Sequence, residues 1–274
     1  MIIFIEAFIF GLLFGSFLNV VILRIPKDES VVFGASHCPS CGNTLKPWHN
    51  IPIFSWIFLR GKCSYCKTDI SIQYPLIEFL SGIIFFTIAY KYSEISIPTF
   101  MIALSFLMLL ALSIIDLKYK MIPDSINLLA IIFAIFGSWN IEGIFINLHN
   151  ALLFAGGFTL LRFSLSYYLT ASYRRYAKKT QTVWTKNYNS YPFIEAMGEG
   201  DIMVSATMGA IIGVKLGLIA IFLSAMIALP ILLLLQNSSK EEQKVPFVPF
   251  LTIATFIVFL FDSQILSYFE ALYR

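Results

Sequence analysis

Long, continuous apolar runs alternate with short polar connections along the whole chain. Runs of this kind predict membrane-spanning helices, because about 20 apolar residues are needed to cross the hydrocarbon core of a bilayer. The fifth and eighth runs are long enough to tilt or break, whereas several others are shorter than a straight span. The pattern predicts an all-α polytopic membrane protein of about eight transmembrane helices, at 2–23, 75–91, 99–115, 125–141, 144–170, 200–214, 216–236 and 247–269.

The composition agrees with this pattern. Of the 274 residues, 58% are hydrophobic and only 13% are charged, whereas soluble domains carry about 25% charged residues. The core of a soluble domain of this length could not bury so much apolar surface. The composition therefore excludes soluble enzymes, disordered proteins and nucleic-acid binders, and the continuous runs lack the alternating pattern of an outer-membrane barrel. We therefore expect the chain to contact membrane lipid along most of its length.

The basic residues are distributed unevenly between the two sides of the predicted bundle. Fifteen of the 19 lie in four connections on one side, at 24–74, 116–124, 171–199 and 237–246, whereas the opposite side has only Lys91, Lys215 and Arg274. Connections rich in Lys and Arg stay in the cytoplasm. The bias predicts a cytoplasmic-membrane protein with both termini on the non-cytoplasmic side. The basic, aromatic connection 171–199 is expected to rest on anionic headgroups.

The connection 24–74 is the one candidate for a folded extramembrane unit, and it contains all four cysteines. They form two Cys-x-x-Cys pairs, Cys38/Cys41 and Cys63/Cys66, with nearly the spacing of a zinc ribbon. Two disulfides or four unrelated thiols are the alternatives, and a reducing cytoplasm disfavours disulfides. We predict a structural Zn²⁺ with four cysteine ligands and no open position. Two nearby histidines are expected to be surface residues and not ligands, His37 and His49.

Two aspartates stand at the cytoplasmic ends of predicted spans. Asp116 ends the third run, and Asp201 follows Gly198 and Gly200 at the start of the sixth. Acidic residues near membrane depth are costly and are therefore candidate functional groups. If the two carboxylates meet in a low-dielectric site they share one proton, so that one activates water while the other polarises a carbonyl. This pattern predicts aspartic-protease chemistry without a metal or cofactor.

Other interpretations of these acids remain open at this stage. Asp116 could be an interfacial stop signal, Asp201 could be a helix N-cap, and Asp124, after Pro123, is expected to be one. The whole protein could be a proton- or ion-coupled transporter, although its informative acids lie at one interface rather than at the midplane. It could also be a non-catalytic component of a pilus or secretion machine that docks through its cysteine loop.

Taken in order, these motifs resemble the prepilin peptidases (type IV leader peptidases), a bacterial family of Gly-x-Gly-Asp intramembrane aspartic proteases. The resemblance implies that Asp116 and Asp201 are catalytic. It implies that prepilin or pseudopilin substrates lose a short basic leader after a glycine, at the cytoplasmic face of the inner membrane. It also implies N-methylation by S-adenosylmethionine. The matching segments cover nearly the whole chain: 11–26, the two cysteine pairs, 74–78, 115–124, 197–201 and 245–250.

The resemblance also suggests a division of the chain into three parts. Helix 1 occupies 1–23, a methyltransferase-associated zinc domain occupies 24–74, and a seven-helix peptidase domain occupies 75–274. Three features depart from the usual pattern: Met203 and Gln73 stand where lysine and arginine are common, and the connection 171–199 is long. Two polar residues in apolar segments beside the zinc domain are candidates for either methylation or packing, Asn19 and Glu78.

Overall fold

The structure is a computed structural model that describes residues 2–34, 36–138, 140–180, 193–236 and 246–272. In these ranges it contains nine α-helices and no strand, since its two β-bridges are isolated. Short 3₁₀ turns lie at Ile25–Lys27 and Pro47–Asn50. The helices are α1 (Ile2–Arg24), α2 (Phe54–Phe58), α3 (Gln73–Tyr92), α4 (Ile97–Tyr119), α5 (Asp124–Ile135), α6 (Ile141–Thr180), α7 (Glu199–Gln236), α8 (Val248–Leu260) and α9 (Asp262–Leu272).

The all-helical prediction is confirmed for the described residues, but the count of eight spans is not. Five helices are long and apolar enough to cross a membrane, and a sixth span results if the bent pair α8–α9 is counted as one. The predicted span 125–141 is the shorter helix α5, which has 12 residues. It ends where a Cβ on Gly137 would meet Ile102 of α4. A 12-residue helix is about 18 Å long, too short to cross the hydrocarbon core unaided.

Helix α7 covers both the sixth and the seventh predicted spans and bends sharply at Gly213. This glycine has φ 73° and ψ −179°, which is not helical. A Cβ on Gly209 and one on Gly217 would both meet the ring of Phe154. In a straight helix, positions eight residues apart are about 12 Å apart along the axis, farther than one phenyl ring reaches. The chain therefore folds back on itself at Gly213, close to the predicted boundary between the two spans.

The last predicted span, 247–269, breaks as its length allows. Helices α8 and α9 meet at an angle of 74° beside Phe261. Lys91, at the end of α3, stabilises this corner because its ammonium group binds Asp262 at 2.7 Å and the carbonyl of Phe259 at 2.7 Å. A cation at the C-terminal end of α8 also suits the negative end of the helix dipole.

Helix α6 continues well beyond the predicted end of the fifth span, through Thr180. Residues 171–180 of the predicted connection 171–199 are therefore helical, and 181–192 lie outside the described residues. The aromatic residues Trp184, Tyr188 and Tyr191, on which lipid contact was predicted, belong to that stretch. The two lysines of the connection 237–246 also lie outside the described residues.

Small residues allow the first two long helices to pack closely. A Cβ on Gly11 would meet the backbone of Ser81 and Gly82, and one on Gly15 would meet the Cα of Glu78 at 2.7 Å. Membrane helices associate through such small-residue contacts, because burial against another helix gains little over lipid. The tight α1–α3 pair supports the segment 25–72, which connects the two helices.

Candidate active site and cysteine cluster

Asp116 lies in the last turn of α4 and is only 7% exposed. Its carboxylate accepts a hydrogen bond of 3.3 Å from the backbone amide of Val248, the first residue of α8. The first amides of a helix lack intrahelical partners and carry the positive end of the helix dipole. Helix α8 therefore stabilises negative charge on Asp116, which the C-terminal end of α4 alone would disfavour.

Asp201 is the third residue of α7 and not its N-cap, so the N-cap interpretation is wrong by position. Its side chain lies toward the start of the helix, because a Cβ on Gly198, the residue that precedes α7, would be 3.5 Å from Asp201 Oδ2.

Gly200 gives the Gly-x-Gly-Asp segment its close contact with the loop after α4. A Cβ on Gly200 would lie 2.6–2.7 Å from three atoms of the Ile122 side chain, so only glycine fits without a shift. Its carbonyl accepts a 3.1 Å hydrogen bond from the buried amide of Asn127 on α5. The backbone at Gly200 therefore approaches its neighbours closely.

These contacts bring Asp116 and Asp201 close enough for their carboxylates to interact electrostatically. They arise from helices separated by about 80 residues of chain, and both lie at the same end of the bundle. Asp124 is exposed and is the first residue of α5, where no side-chain capping bond forms; Pro123 is the N-cap instead. The structure therefore brings together the two predicted acids, whereas the third, Asp124, remains exposed to solvent.

The four cysteines form one cluster. Their sulfur atoms all lie within 4.8 Å of one another, and Cys38 Sγ is 3.8 Å from Cys66 Sγ. A tetrahedral site with metal–sulfur bonds of about 2.3 Å has sulfur–sulfur edges of about 3.8 Å. None of the four forms a disulfide, so this alternative is wrong for the structure. The arrangement can hold a metal ion, and neither His37 nor His49 is part of it.

The local backbone prepares these thiols for metal binding. The backbone amide of Cys41 and then that of Ser40 lower the pKa of Cys38, and hydrogen bonds from the Thr68 hydroxyl and amide lower the pKa of Cys66 to about 6. Metals bind the thiolate form of cysteine. Both shifts favour the thiolate form, and for Cys66 they do so near neutral pH.

Asn19 and Glu78 both connect the membrane helices with the segment that carries the cysteines. The amide of Asn19 donates to the carbonyl of Tyr74 at 3.1 Å. The buried carboxylate of Glu78 accepts a 2.7 Å hydrogen bond from the amide of Ile53, which has the unusual φ of 61°. Both residues therefore make structural contacts at this junction.

Sequence reasoning missed two contributors to the site. The amide of Val248 comes from a segment quoted only for its resemblance, and its approach to Asp116 joins positions 132 residues apart. Arg162, which lies within the fifth predicted span, binds Glu195 and Glu199 beside the Gly-x-Gly-Asp segment, at 3.3 and 2.9 Å. A charged residue inside an apolar run was the available signal.

Comparisons with known proteins agree with this geometry. Residues 9–92 match the Bacterial Peptidase A24 N-terminal domain, and residues 102–233 match the Type IV leader peptidase family. The chain is 32% identical to the Prepilin leader peptidase/N-methyltransferase of Neisseria gonorrhoeae and 32% identical to that of Xanthomonas campestris pv. campestris. Each alignment covers 94% of this chain and 91% of the relative.

A third relative with the same name, from Pseudomonas aeruginosa, is 30% identical over 93% of this chain and 89% of its own length. No solved structure matches the chain significantly. Two matched domains in the expected order, together with relatives aligned over nearly their full length, show the family. The chain belongs to the type IV leader peptidase family.

Proposed function

We propose that this protein is a leader peptidase that cleaves prepilins or type II secretion pseudopilins after a glycine, at the cytoplasmic face of the inner membrane. The observation that carries the proposal is the convergence of Asp116 and Asp201 at one end of the bundle. Relatives aligned over nine-tenths of their length are named for the same activity and for N-methylation. The chain is then divided as the sequence predicts, into helix 1 (1–23), a zinc domain (24–74) and a peptidase domain (75–274).

The proposed reaction uses one shared proton between the two carboxylates. The ionised aspartate removes a proton from water while the hydroxyl oxygen attacks the carbonyl carbon of the scissile bond. The protonated aspartate donates a hydrogen bond to the carbonyl oxygen. As the C–N bond breaks, the nitrogen takes up the proton that the aspartate removed from water and leaves as an amine, so the pair again shares one proton. The new carboxylic acid loses its proton to solvent, and the products are a leader ending in a carboxylate and a pilin with a new N-terminus.

We assign the cysteine cluster to a structural Zn²⁺. The chemistry of four thiolates and the 3.8 Å separation of Cys38 and Cys66 fit this ion. Four cysteines fill a tetrahedral shell, which leaves no position for a substrate. The ion would therefore hold Cys38, Cys41, Cys63 and Cys66 together and stabilise the fold of the segment 24–74.

N-methylation requires a methyl donor, S-adenosylmethionine, which when bound supplies a methyl group on positively charged sulfur. At the junction of α1 and α3, Asn19 Oδ1 and Gln73 Nε2 are buried and make no hydrogen bond within the described residues. One is an acceptor and the other a donor, and both lie next to Tyr74 in space or sequence. These two side chains fit a polar ligand and would hold polar groups of the donor.

Asp116→Asn and Asp201→Asn should each reduce leader cleavage by at least roughly a thousandfold, because asparagine cannot exchange the proton. Asparagine keeps the size of the aspartate side chain and, at position 116, the oxygen that accepts the Val248 amide, so the fold should survive. Cleavage is measured by mass spectrometry of a prepilin incubated with the purified protein in detergent or vesicles. The same spectra report any added methyl group.

Asp124→Asn is the matched control, because this exposed acid lies near the site but makes no capping bond. Its cleavage rate should stay within about twofold of the unmodified protein, since the side chain touches no reacting atom. Full activity in either Asp116→Asn or Asp201→Asn would refute the catalytic assignment. That result would instead favour a non-catalytic assembly role or ion transport, although the family relationship disfavours both.

A further inference from the structure

A row of polar side chains on α6 contacts the segment that leads into the candidate catalytic aspartate of α7. Arg162, Ser166 and Thr170 are spaced four residues apart, so they lie on one face of the helix. The hydroxyl of Thr170 accepts a 3.0 Å hydrogen bond from the backbone amide of Ile194. The hydroxyl of Ser166 accepts a 2.9 Å hydrogen bond from the backbone amide of Ala196. We call Arg162, Ser166 and Thr170 the α6 ladder.

The guanidinium of Arg162 completes the ladder at the motif itself. It binds Glu199, the variable residue of Gly-x-Gly-Asp, at 2.9 Å and Glu195 at 3.3 Å. Its side chain is 14% exposed, whereas those of Glu195 and Glu199 are 64% and 82% exposed. The contact therefore anchors two otherwise solvent-facing acids to the body of the protein. The nearer of them, Glu199, lies two residues before Asp201.

The two hydroxyls on α6 and the two amides that bind them are spaced by nearly the same distance. Ser166 and Thr170 are separated by about 6 Å along α6, at 1.5 Å per residue. Ile194 and Ala196 are two residues apart in non-helical chain, which spans about 6.6 Å when extended. Alternate amides of an extended chain point to the same side, so both can reach hydroxyls on one helix face. The segment runs antiparallel to α6, from Thr170 toward Arg162.

The burial pattern of α6 shows that this face is turned toward the protein. Between residues 160 and 175, the only buried residues are Ser166 and Thr170, at 1% and 4% exposure. Large apolar neighbours point outward instead, among them Phe163 at 61% and Tyr167 at 75%. A polar inward face on an otherwise apolar helix satisfies backbone amides that would be costly to leave unpaired near the hydrocarbon.

We propose that the α6 ladder positions Asp201 against Asp116 by fixing the depth and register of residues 194–199. The inference rests on the proposed peptidase function. Ser166, Thr170 and Arg162 are positioning residues, since none touches either carboxylate. Loss of the ladder lets the segment move and misaligns the pair, which lowers the rate of the chemical step but leaves substrate binding intact.

The test compares Ser166→Ala, Thr170→Val and the double variant with Thr170→Ser, which keeps the hydroxyl. The double variant should lose about tenfold to a hundredfold in kcat, with KM within roughly twofold, because small misplacements of reacting groups are costly. Thr170→Ser should retain full activity. Amide hydrogen exchange at Ile194 and Ala196 should become roughly tenfold faster in the double variant.

Thr159→Val is the matched control, because this hydroxyl lies on the same helix but donates to the carbonyl of Ala155 at 2.7 Å. Its kcat and its exchange at 194–196 should be unchanged. An unchanged kcat in the double variant, or a loss equal to that of Thr159→Val, overturns the proposal. So does unchanged exchange at Ile194 and Ala196.

Arg162→Gln keeps the proposal testable where a hydroxyl variant folds poorly. Both carboxylate partners are mainly in solvent, so removing the guanidinium leaves no buried unpaired charge and the protein should fold. Its kcat should fall at least about fivefold, and Arg162→Lys should recover part of the loss. Equal rates in these two variants and the unmodified protein contradict the role of Arg162. Exchange needs no activity, so it separates failure of the ladder from failure of the catalytic assignment.

Discussion

Each of the two aspartates lies beside the backbone at the start of a helix. Asp201 lies next to Gly198, in front of its own helix, and Asp116 accepts a hydrogen bond from the amide of Val248 at the start of α8. A carboxylate in the last turn of a helix opposes the dipole of that helix, and for Asp116 the N-terminus of α8 compensates. Helix ends from three parts of the chain therefore meet at the candidate active site.

The two cysteine turns are built alike, although their sequences differ. The amide of Cys38 donates to Asn43 and that of Cys63 donates to Thr68, so equivalent positions are 25 residues apart. The residue after the second cysteine is left-handed in both turns, with φ 70° at Gly42 and 60° at Lys67. Only glycine adopts this conformation without cost, so Lys67 carries strain that Gly42 avoids.

Exchanging these two residue types should change metal affinity in opposite directions. Gly42→Ala should weaken Zn²⁺ binding up to roughly tenfold, because a side chain in this conformation costs about 1 kcal/mol and metal binding is coupled to folding of the loop. A Cβ on Gly42 would meet no atom within 4 Å, so backbone strain is the only cost. Lys67→Gly should strengthen binding severalfold.

Affinities are measured by competition with a chelator, after metal analysis of the purified protein has established one zinc per chain. In the same assay, Cys38→Ser shows how far the affinity for Zn²⁺ falls when one cysteine ligand is lost. Zinc well below one equivalent, with all four thiols reactive, would contradict the assignment. Equal affinities for Gly42→Ala and Lys67→Gly would contradict the account from backbone strain.

At the scale of elements, two breaks divide long apolar segments of the chain into shorter helical segments. Gly213 folds α7 back on itself, and the bend beside Phe261 separates α8 from α9. The backbone of Gly213, with ψ near 180°, lies in a region that is essentially restricted to glycine. The bend places both halves of α7 against Phe154 of α6, where Gly209 and Gly217 leave room for the ring.

Gly213→Ala should therefore lower the stability of the folded protein by about 1–3 kcal/mol. Gly156→Ala is the control, because Gly156 lies inside α6 and a Cβ there would meet nothing within 4 Å. That substitution should leave stability unchanged or raise it by about 0.5–1 kcal/mol. The thermal unfolding of both variants is compared in detergent. A Gly213→Ala variant as stable as Gly156→Ala would mean that the bend needs no glycine conformation.

The apolar pattern was sufficient to predict helices but not how they divide. Continuous hydrophobicity locates α1, α3 and α4 within a few residues, because each run is bounded by polar residues. It does not show that α5 stops at Ile135, since Gly137 packs on Ile102 through contacts distant in sequence. Asp116 and Asp201 could be found from charge at membrane depth. The supporting amide of Val248 could not, because only the tertiary fold brings it near.

Across the whole molecule, the two ends of the bundle carry different chemistry. One end has the aspartate pair, the cysteine cluster and the start of α8. The other has Lys91, which binds Asp262 and the carbonyl of Phe259 where α8 ends. Because α8 runs from Asp116 at one end to Lys91 at the other, the two sites are separated by the length of that helix. A peptidase of cytoplasmic substrates requires the aspartate end to face the cytoplasm.

The excess of basic residues in the connections at the aspartate end predicts this orientation. Glu29, after α1, and Glu94, between α3 and α4, are exposed glutamates at opposite ends of the bundle, so Glu29→Cys and Glu94→Cys form a matched pair. A membrane-impermeant maleimide added to intact spheroplasts should label Glu94→Cys and not Glu29→Cys, and permeabilised cells should show labelling of both. The protein without either substitution measures labelling of its native cysteines. Labelling of Glu29→Cys alone in intact spheroplasts would reverse the orientation and place the aspartate pair out of reach of a cytoplasmic leader.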